Sequence, residues 1–237
     1  RSGCTTTTDH HYLFPHGASP ELIDITIAAA RDVGIRFHPT RGSMSRSQKD
    51  GGLPPDSVVQ DPDTILADSE RVIAAHHDPR PGAMVRIALA PCSPFSVSPE
   101  LMRDTAGLAR RRGVRLHTHL AETRDENDYC ERVYGQRPLD FLESVGWLAG
   151  DVWLAHGIHF TDEEIGRLGR AGVGIAHCPT SNMRLGSGIC RVRALRAAGC
   201  PVGLAVDGSA SNDGSHLLAE LRQALLLHRV VGGAAAM

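Results

Sequence analysis

The sequence lacks long apolar runs, and this absence argues against a membrane-spanning helix. None of its runs approaches the roughly eighteen consecutive apolar residues that a span needs. The first residues also lack the basic segment followed by an apolar one that is typical of a secretory signal. We therefore expect a cytoplasmic protein without a membrane partner.

A large charge of one sign is also absent. The formal net charge is −2 at pH 7, and the basic residues are scattered. The densest basic cluster, Arg110 to Arg112, lies late in a predicted helix, where positive charge interacts favourably with the helix dipole. This distribution gives no long-range attraction to nucleic acid, so we expect no nucleic-acid partner.

Paired cysteines are a third absence. Six cysteines are present, but no two of them form a C-x-x-C pair, which argues against a structural zinc knuckle. The H-x-E and P-C-x-x-C elements of cytidine-deaminase-type zinc sites are missing too. We expect reduced and mostly buried thiols.

The sequence does contain an alternation of short apolar runs with longer amphipathic segments. Hydrophobic residues make up 41% of the 237 residues, enough for the core of a single domain, residues 1–237. The alternation predicts an α/β fold with a parallel sheet and right-handed crossovers. The predicted strands are Gly3–Asp9, Gly34–Thr40, Met84–Ala90, Val114–His119, Val152–His156, Val173–His177 and Val202–Asp207. The predicted helices are Pro20–Val33, Pro62–His77, Pro99–Arg112, Pro138–Val145, Thr161–Ala171, Cys190–Ala198 and Gly214–Val230.

Seven strand and helix units can be counted, one fewer than a TIM-type (β/α)8 barrel contains. The chain opens on Arg1 without a methionine and runs directly into a strand. We therefore predict such a barrel with its first strand missing from this fragment. The segment Arg41–Asp61, rich in glycine, serine and proline, is predicted to be either a lid or a plain surface loop.

Metal-capable side chains stand where three predicted strands end. His119 and Glu122 end one strand, His156 ends the next, and Asp207 ends the last. Parallel barrel strands end on one rim, where imidazole and carboxylate suit a catalytic Zn²⁺ or Fe²⁺. Strand alternation places Ala205 on the same face as Asp207. The alternative for Asp207 is the cap of a turn.

The other histidines have a structural interpretation, because a lone histidine at a strand end is more often hydrogen-bonded structure than a ligand. We expect His117 to pack one layer below His119. The remaining structural histidines are His10, His11, His16, His38, His76, His77, His159 and His228. Two arginines, Arg41 and Arg184, are expected to tie loops together.

Four segments, taken in order, carry a resemblance to a known family. They are His119–Thr123, Ala155–Gly157, His177–Gly188 and Val206–Asp213. Together they resemble the metal-dependent amidohydrolases, in the branch that acts on purines, triazines and adenosyl thioethers. The resemblance implies an amidohydrolase-like barrel and one divalent metal, with zinc the first choice and iron the second.

The resemblance also implies a role for each rim residue. His119 and Asp207 bind the metal, and Asp207 takes a proton from the attacking water. His156 is a catalytic residue that holds this water or the leaving side of the substrate, and Glu122 protonates the ring nitrogen beside the attacked carbon. The family's other two ligands form an H-x-H in the first strand, so this fragment alone is expected to be inactive. Family members commonly form homo-oligomers.

Substrate choice depends on the pocket residues. The segment Pro91–Val97 carries Cys92 where related deaminases carry histidine or arginine. Together with Thr5–His10 and His117–Thr123, it resembles the 8-oxoguanine deaminases. The implied reaction converts 8-oxoguanine to urate and ammonia. The predicted substrate contacts are Cys92, Glu122, His156, His177 and Asn182. Cys92 is equally compatible with a small buried residue, and His177 with a residue that orients Asp207 or its loop.

Other functions remain open at this point. The same motifs fit an aminohydrolase of hydroxyatrazine or chlorotriazine, a guanine deaminase, or a deaminase of adenosine or S-adenosylhomocysteine. A hypothesis of another class is a non-catalytic barrel scaffold. Four convergent ionisable groups, which a scaffold does not need, argue against it.

Overall fold

The computed structural model describes residues 2–233, and in it parallel strands are separated by helices, as the α/β prediction requires. The residues divide into two compact units, which are described separately below. The predicted single domain extends to Arg1 and to residues 234–237, which lie outside the described residues. A single domain stays a prediction.

The first unit contains residues 5–118 and 143–147. Its strands are β1 (Thr6–Thr8), β2 (Arg36–His38), β3 (Thr40–Ser43), β4 (Ala88–Pro91) and most of β5 (Arg115–Leu120). Its helices are α1 (Leu22–Val33), α2 (Pro62–His76) and α3 (Pro99–Arg112). Strand β1 pairs with β2, and β4 pairs with both β3 and β5, all in parallel.

The second unit contains residues 2–4, 119–142 and 148–233 of the described chain. Its strands are β6 (Val152–His156), β7 (Gly174–His177) and β8 (Val202–Leu204), and β7 pairs in parallel with both neighbours. Its helices are α4 (Arg124–Tyr134), most of α5 (Pro138–Ser144), α6 (Asp162–Ala171), α7 (Pro179–Leu185), α8 (Val192–Ala197) and α9 (Leu217–Gly232).

The predicted strand Gly34–Thr40 is wrong as a single element. Proline has no N–H to donate to a strand partner, and the chain breaks at Pro39 into β2 and β3. The N–H of Thr40 then donates to the carboxylate of Asp9 at 2.7 Å. The break explains why β2 pairs with β1 whereas β3 pairs with β4.

The predicted loop Arg41–Asp61 begins too early, because residues 41–43 belong to the buried strand β3. The guanidinium of Arg41 pairs with Asp68 at 2.6 Å and donates to Gln60 at 3.0 Å. Arg41 therefore ties this segment to α2, as expected of it. Whether the rest of the segment acts as a lid stays a prediction.

The last predicted strand, Val202–Asp207, is too long. Strand β8 ends at Leu204, and the N–H of Ala205 still donates to the carbonyl of His177 at 2.9 Å. Asp207 follows in a left-handed conformation, with φ at 64°. Strand alternation therefore does not set its direction, and the shared face with Ala205 stays a prediction without support from the strand.

Two helices were not predicted, α4 and α7. Helix α4 opens with five charged or polar residues, so its apolar side chains are confined to the second half, a stripe too short for the helix to be recognised. Helix α7 has only seven residues. By contrast, the predicted helix starts at Pro99 and Thr161 are confirmed, each with a hydroxyl cap accepting a backbone N–H.

Two exclusions can be compared with the structure. Among residues 2–233, no helix is both long and apolar enough to cross a membrane. No disulfide joins any of the six cysteines within residues 2–233, and four of them, Cys130, Cys178, Cys190 and Cys200, are buried. The expectation of reduced and mostly buried thiols is confirmed.

Candidate functional site

Three metal-capable residues converge in the second unit. His119 is the penultimate residue of β5, His156 is the last residue of β6, and Asp207 lies three residues beyond the end of β8. One ligand atom from each lies within 4.8 Å of the other two. The two imidazole rings are stacked, with centroids 5.3 Å apart. The structure thus brings together residues that are far apart in the sequence.

The backbone at this rim adopts a conformation that residues with a Cβ atom rarely use. Ala121, His156 and Asp207 have φ values of 54°, 71° and 64°. Such left-handed residues carry local strain, and they cluster at functional sites because surrounding contacts hold them. Here they turn the chain sharply after β5, β6 and β8.

His156 is oriented by a buried amide. Its Nδ1 lies 2.9 Å from Oδ1 of Asn182, which can only accept, so Nδ1 carries the hydrogen and Nε2 carries the lone pair. Burial lowers the pKa of His156, although Asn182 and the charge of Asp207 oppose this shift. The imidazole is therefore neutral near pH 7, with Nε2 available as a ligand atom or a proton acceptor.

Asp207 is held by hydroxyl and backbone donors. The hydroxyl of Ser181 donates to Oδ2 at 2.5 Å, and the N–H of Gly208 donates to Oδ1 at 2.8 Å. Burial acts to raise the pKa of Asp207, but the Ser181 hydrogen bond, the charge of His156 and the Gly208 N–H outweigh it. The pKa therefore lies below its ordinary value, and the side chain is a carboxylate.

Glu122 lies beside this cluster with the opposite electrostatic bias. Its side chain is half-buried, and Oε1 accepts a hydrogen bond from the hydroxyl of Ser187 at 3.3 Å. Burial raises the pKa of Glu122, and the negative charge of Asp207 adds to the increase, while His119 and Ser187 oppose it. Two carboxyl groups at one site thus have pKa values displaced in opposite directions, a pattern typical of acid and base partners.

The donor geometry fits a bound cation. The Nε2 of His156 lies 3.6 Å from Oε2 of Glu122 and 3.9 Å from Oδ2 of Asp207. A neutral imidazole lone pair facing carboxylate oxygens is repelled unless a positive charge lies between them. Because burial disfavours protonation of His156, a divalent cation is the better source of that charge. Two imidazoles and one carboxylate suit zinc or iron.

The other predicted site residues are placed as follows. His177 ends β7 and is buried, and neither ring nitrogen has a hydrogen-bond partner within residues 2–233. Burial lowers its pKa to about 4. Asn182 is buried in α7 against His156, and its Nδ2 has no partner among the described residues. Cys92 follows β4 in the first unit, half-buried, and its substrate role stays a prediction.

Three predicted structural residues can also be placed. His117 is buried in the first unit, and its ring lies 4.5 Å from the ring of His10. His228, on α9, has its ring 5.5 Å from that of His177. His117 and His10 are thus packed against each other, as the structural interpretation expects.

Sequence reasoning missed the residues that orient the site. Ser181 and Ser187 contact Asp207 and Glu122. Both lie inside the segment His177–Gly188 that carries the family resemblance, so a signal was present. The sequence alone did not indicate which hydroxyl in that segment faces which carboxylate.

Comparisons with known proteins identify the family of the chain. The sequence matches the amidohydrolase family over residues 1–236. It is 61% identical over 233 residues to an 8-oxoguanine deaminase from Pseudomonas aeruginosa, covering 98% of this chain and 52% of that protein. It is 44% identical over 227 residues to a hydroxydechloroatrazine ethylaminohydrolase from Pseudomonas sp. strain ADP, covering 96% of this chain and 47% of that protein.

A solved structure with bound metal is also similar. It is the zinc complex of an atrazine chlorohydrolase from Arthrobacter aurescens TC1, with a TM-score of 0.94 and 41% identity, covering 98% of this chain and 51% of that one. The chain spans about half the length of the relatives it matches. The α/β fold is thus part of the barrel of this metal-dependent family, and the chain belongs to the amidohydrolase family.

Proposed function

We propose that the complete protein is a metal-dependent hydrolytic deaminase that converts 8-oxoguanine and water to urate and ammonia. The observation that carries the proposal is the convergence of His119, His156 and Asp207 within 4.8 Å, with Glu122 beside them. The identity of 61% to an 8-oxoguanine deaminase supports the choice of substrate.

We infer that His119 and Asp207 hold a single divalent metal, with zinc as the first choice and Fe²⁺ as the second. The zinc complex of the similar atrazine chlorohydrolase supports zinc. When bound, such a metal lowers the pKa of water toward about 7 and makes it a nucleophile near neutral pH. His156, neutral and oriented by Asn182, holds the attacking water or the leaving side of the substrate.

Protons move through the two carboxyl groups, whose pKa values are displaced in opposite directions. Asp207, held ionised by Ser181, accepts a proton from the attacking water. Glu122, whose raised pKa favours the protonated form, protonates the ring nitrogen next to the attacked carbon. The tetrahedral carbon then collapses: Asp207 returns its proton to the amino group, which leaves as ammonia, and Glu122 recovers a proton from the new hydroxyl.

The proposed pocket also needs groups that contact the heterocycle. His177 offers two buried ring nitrogens without hydrogen-bond partners among residues 2–233, and Asn182 offers a similarly unpaired amide nitrogen. Buried polar atoms without partners are costly, so a bound polar heterocycle is a suitable partner for them. For Cys92, a contact with the substrate is proposed from the sequence alone.

A second candidate is the aminohydrolysis of a hydroxytriazine on the same residues. The identity of 44% to a hydroxydechloroatrazine ethylaminohydrolase favours it over the other heterocycles. Both substrates present a ring nitrogen beside a carbon that carries a nitrogen leaving group. Guanine and adenosine-type substrates are lesser alternatives, and a non-catalytic scaffold does not account for the opposed carboxyl groups.

The remaining proposals concern the whole protein. We propose a single barrel domain, a cytoplasmic location, a small heterocyclic substrate without nucleic-acid or membrane partners, and assembly as a homo-oligomer. Sedimentation of the complete protein tests the assembly, and a single monomeric species would contradict it.

The test of function is ammonia release by the metal-loaded complete protein from a substrate panel. The panel contains 8-oxoguanine, guanine, an ethylamino-hydroxytriazine and S-adenosylhomocysteine. We expect the highest kcat/KM with 8-oxoguanine and formation of urate in equal amount to ammonia. In Glu122→Gln we expect a loss of kcat of about 100-fold or more, the contribution typical of general acid catalysis. Turnover of the triazine with none of 8-oxoguanine would favour the second candidate.

A further inference from the structure

A buried carboxylate close to the site has no role in the chemistry above. Glu126, on α4, is 1% exposed, and its two oxygens accept the N–H groups of Ala121 at 2.9 Å and Glu122 at 3.1 Å. Within residues 2–233, no lysine or arginine pairs with it. Burial raises the pKa of Glu126 to about 7, although these two N–H groups favour its charged form.

Another helix of the same unit shows what such a residue ordinarily does. In α6, Glu164 and Thr161 form a reciprocal capping box, in which the carboxylate accepts the N–H of Thr161 at 2.7 Å. Glu126 occupies the same third position of α4, and its own N–H donates to the cap Thr123 at 3.3 Å. Its carboxylate, however, passes the cap and binds the two N–H groups before it.

Those two N–H groups lie on either side of the Cα atom of Ala121. Ala121 has a φ of 54°, a left-handed conformation that is strained for a residue with a Cβ atom. Its carbonyl accepts the N–H groups of Ile158 and His159, both at 2.9 Å. The turn at Ala121 sets the direction in which the next residue, Glu122, leaves the strand end.

We propose that Glu126 is a positioning residue that clamps the turn at Ala121 and so aims Glu122 for proton transfer. The proposal rests on the proposed function for the role of Glu122. Glu126 acts through the backbone and touches no reacting group. Glu126 binds backbone N–H groups and not the side chains of His119 or Asp207, so we expect metal binding to be retained without the clamp.

The experiment compares Glu126→Gln with the matched control Glu164→Gln in the complete, metal-loaded protein. Glutamine keeps one acceptor oxygen and turns an NH₂ group toward the second backbone N–H. For Glu126→Gln we expect kcat for 8-oxoguanine to fall about 30-fold to 100-fold, as for a weakened general acid. We expect KM and metal content to stay unchanged. We expect the control to lose its ion pair with Arg137, and with it some stability, but to keep the kcat of the unaltered protein.

A second substitution separates positioning from simple stabilisation. Glycine adopts a left-handed φ without a steric penalty. We therefore expect Ala121→Gly, added to Glu126→Gln, to restore part of the lost kcat. If Glu126→Gln does not fold, Glu126→Asp keeps both oxygens on a shorter side chain. We expect Glu126→Asp to lower kcat at unchanged metal content, and an unchanged kcat would overturn the proposal.

Equal kcat values in Glu126→Gln and Glu164→Gln would overturn the proposal and leave Glu126 as a helix cap only. If the unaltered protein deaminates none of the panel, the proposed function fails, and the clamp is tested by amide hydrogen exchange. We expect the amides of Ala121 and Glu122 to exchange faster in Glu126→Gln than in Glu164→Gln. Equal exchange in both variants would disprove the clamp itself.

Discussion

Two adjacent residues on α7 orient two different members of the site. The hydroxyl of Ser181 donates to Asp207 at 2.5 Å, while the amide oxygen of Asn182 accepts from His156 at 2.9 Å. Both side chains are buried, so neither exchanges its partner with water. One short helix therefore fixes two of the three residues that converge on the candidate metal centre. Partners of this kind hold ligand orientation in known metal sites.

At the scale of the single residue, we predict that Ser181→Ala weakens metal binding. The substitution removes the shorter of two hydroxyl donors to Oδ2 of Asp207 and leaves Ser211 at 3.4 Å, so the carboxylate is oriented less firmly. We expect the affinity for Zn²⁺ to fall about 10-fold to 100-fold, measured by competition with a chelating dye.

The matched control is Ser69→Ala on α2. The hydroxyl of Ser69 is also buried, but it donates to the carbonyl of Ile65 at 2.7 Å, in the first unit. We expect this variant to bind Zn²⁺ as the unaltered protein does. Unchanged zinc affinity in Ser181→Ala would contradict the role given to its hydroxyl.

The chemistry-bearing residues could be predicted from the sequence, whereas their supports could not. His119 and His156 end apolar runs, which locates them on strand ends without any knowledge of contacts. Ser181 meets a carboxylate 26 residues away, and Ser187 meets one 65 residues away. Such pairings depend on how separate elements pack, and no local pattern encodes them. The catalytic or metal-binding roles of His119, Glu122, His156 and Asp207 stay predictions.

At the scale of the element, clear local signals gave correct bounds. The strand Val152–His156 and the helix Pro99–Arg112 are observed as predicted, since the first is an apolar run and the second has both a proline start and a capping serine. Helix α4 was missed because its packing buries few apolar side chains. The predicted strand extends beyond the end of β8 because the apolar pattern continues through Ala205 and Val206, which lie outside the strand.

Strand β2 carries a histidine whose environment predicts a pH dependence of stability. Burial lowers the pKa of His38 to about 4 from its ordinary 6.5, and the charges of Arg86 and Arg115 add to this shift. As the pH falls below 6.5, His38 binds a proton in the unfolded chain, whereas in the folded protein it stays neutral until about pH 4. The contribution of His38 is therefore fully present above pH 6.5 and is lost toward pH 4.

We predict that His38→Gln makes the free energy of unfolding less sensitive to acid. Between about pH 6.5 and pH 4, the unaltered protein should lose about 2 kcal/mol more stability than the variant. Denaturant unfolding of both proteins at several pH values measures the difference. His177, with its similarly lowered pKa, is unchanged in both proteins and leaves a common slope. Parallel curves across this range would contradict the assignment.

At the scale of the whole molecule, this chain corresponds to about half of each relative it matches. The candidate centre nevertheless brings its three donors together within one unit. Three donors leave coordination positions open for further ligands and for water. The H-x-H that the family resemblance implies is the predicted source of the further ligands. Activity is therefore expected of the complete protein.

The most direct test of the central claim is a metal titration of the complete protein after removal of its metal by a chelator. Zn²⁺ is added stepwise, and ammonia release from 8-oxoguanine is followed. We predict no turnover without metal and a rise in rate that levels off at about one equivalent, as a single-metal site requires. Full activity of the metal-free protein, or no activity at any zinc level, would contradict the account.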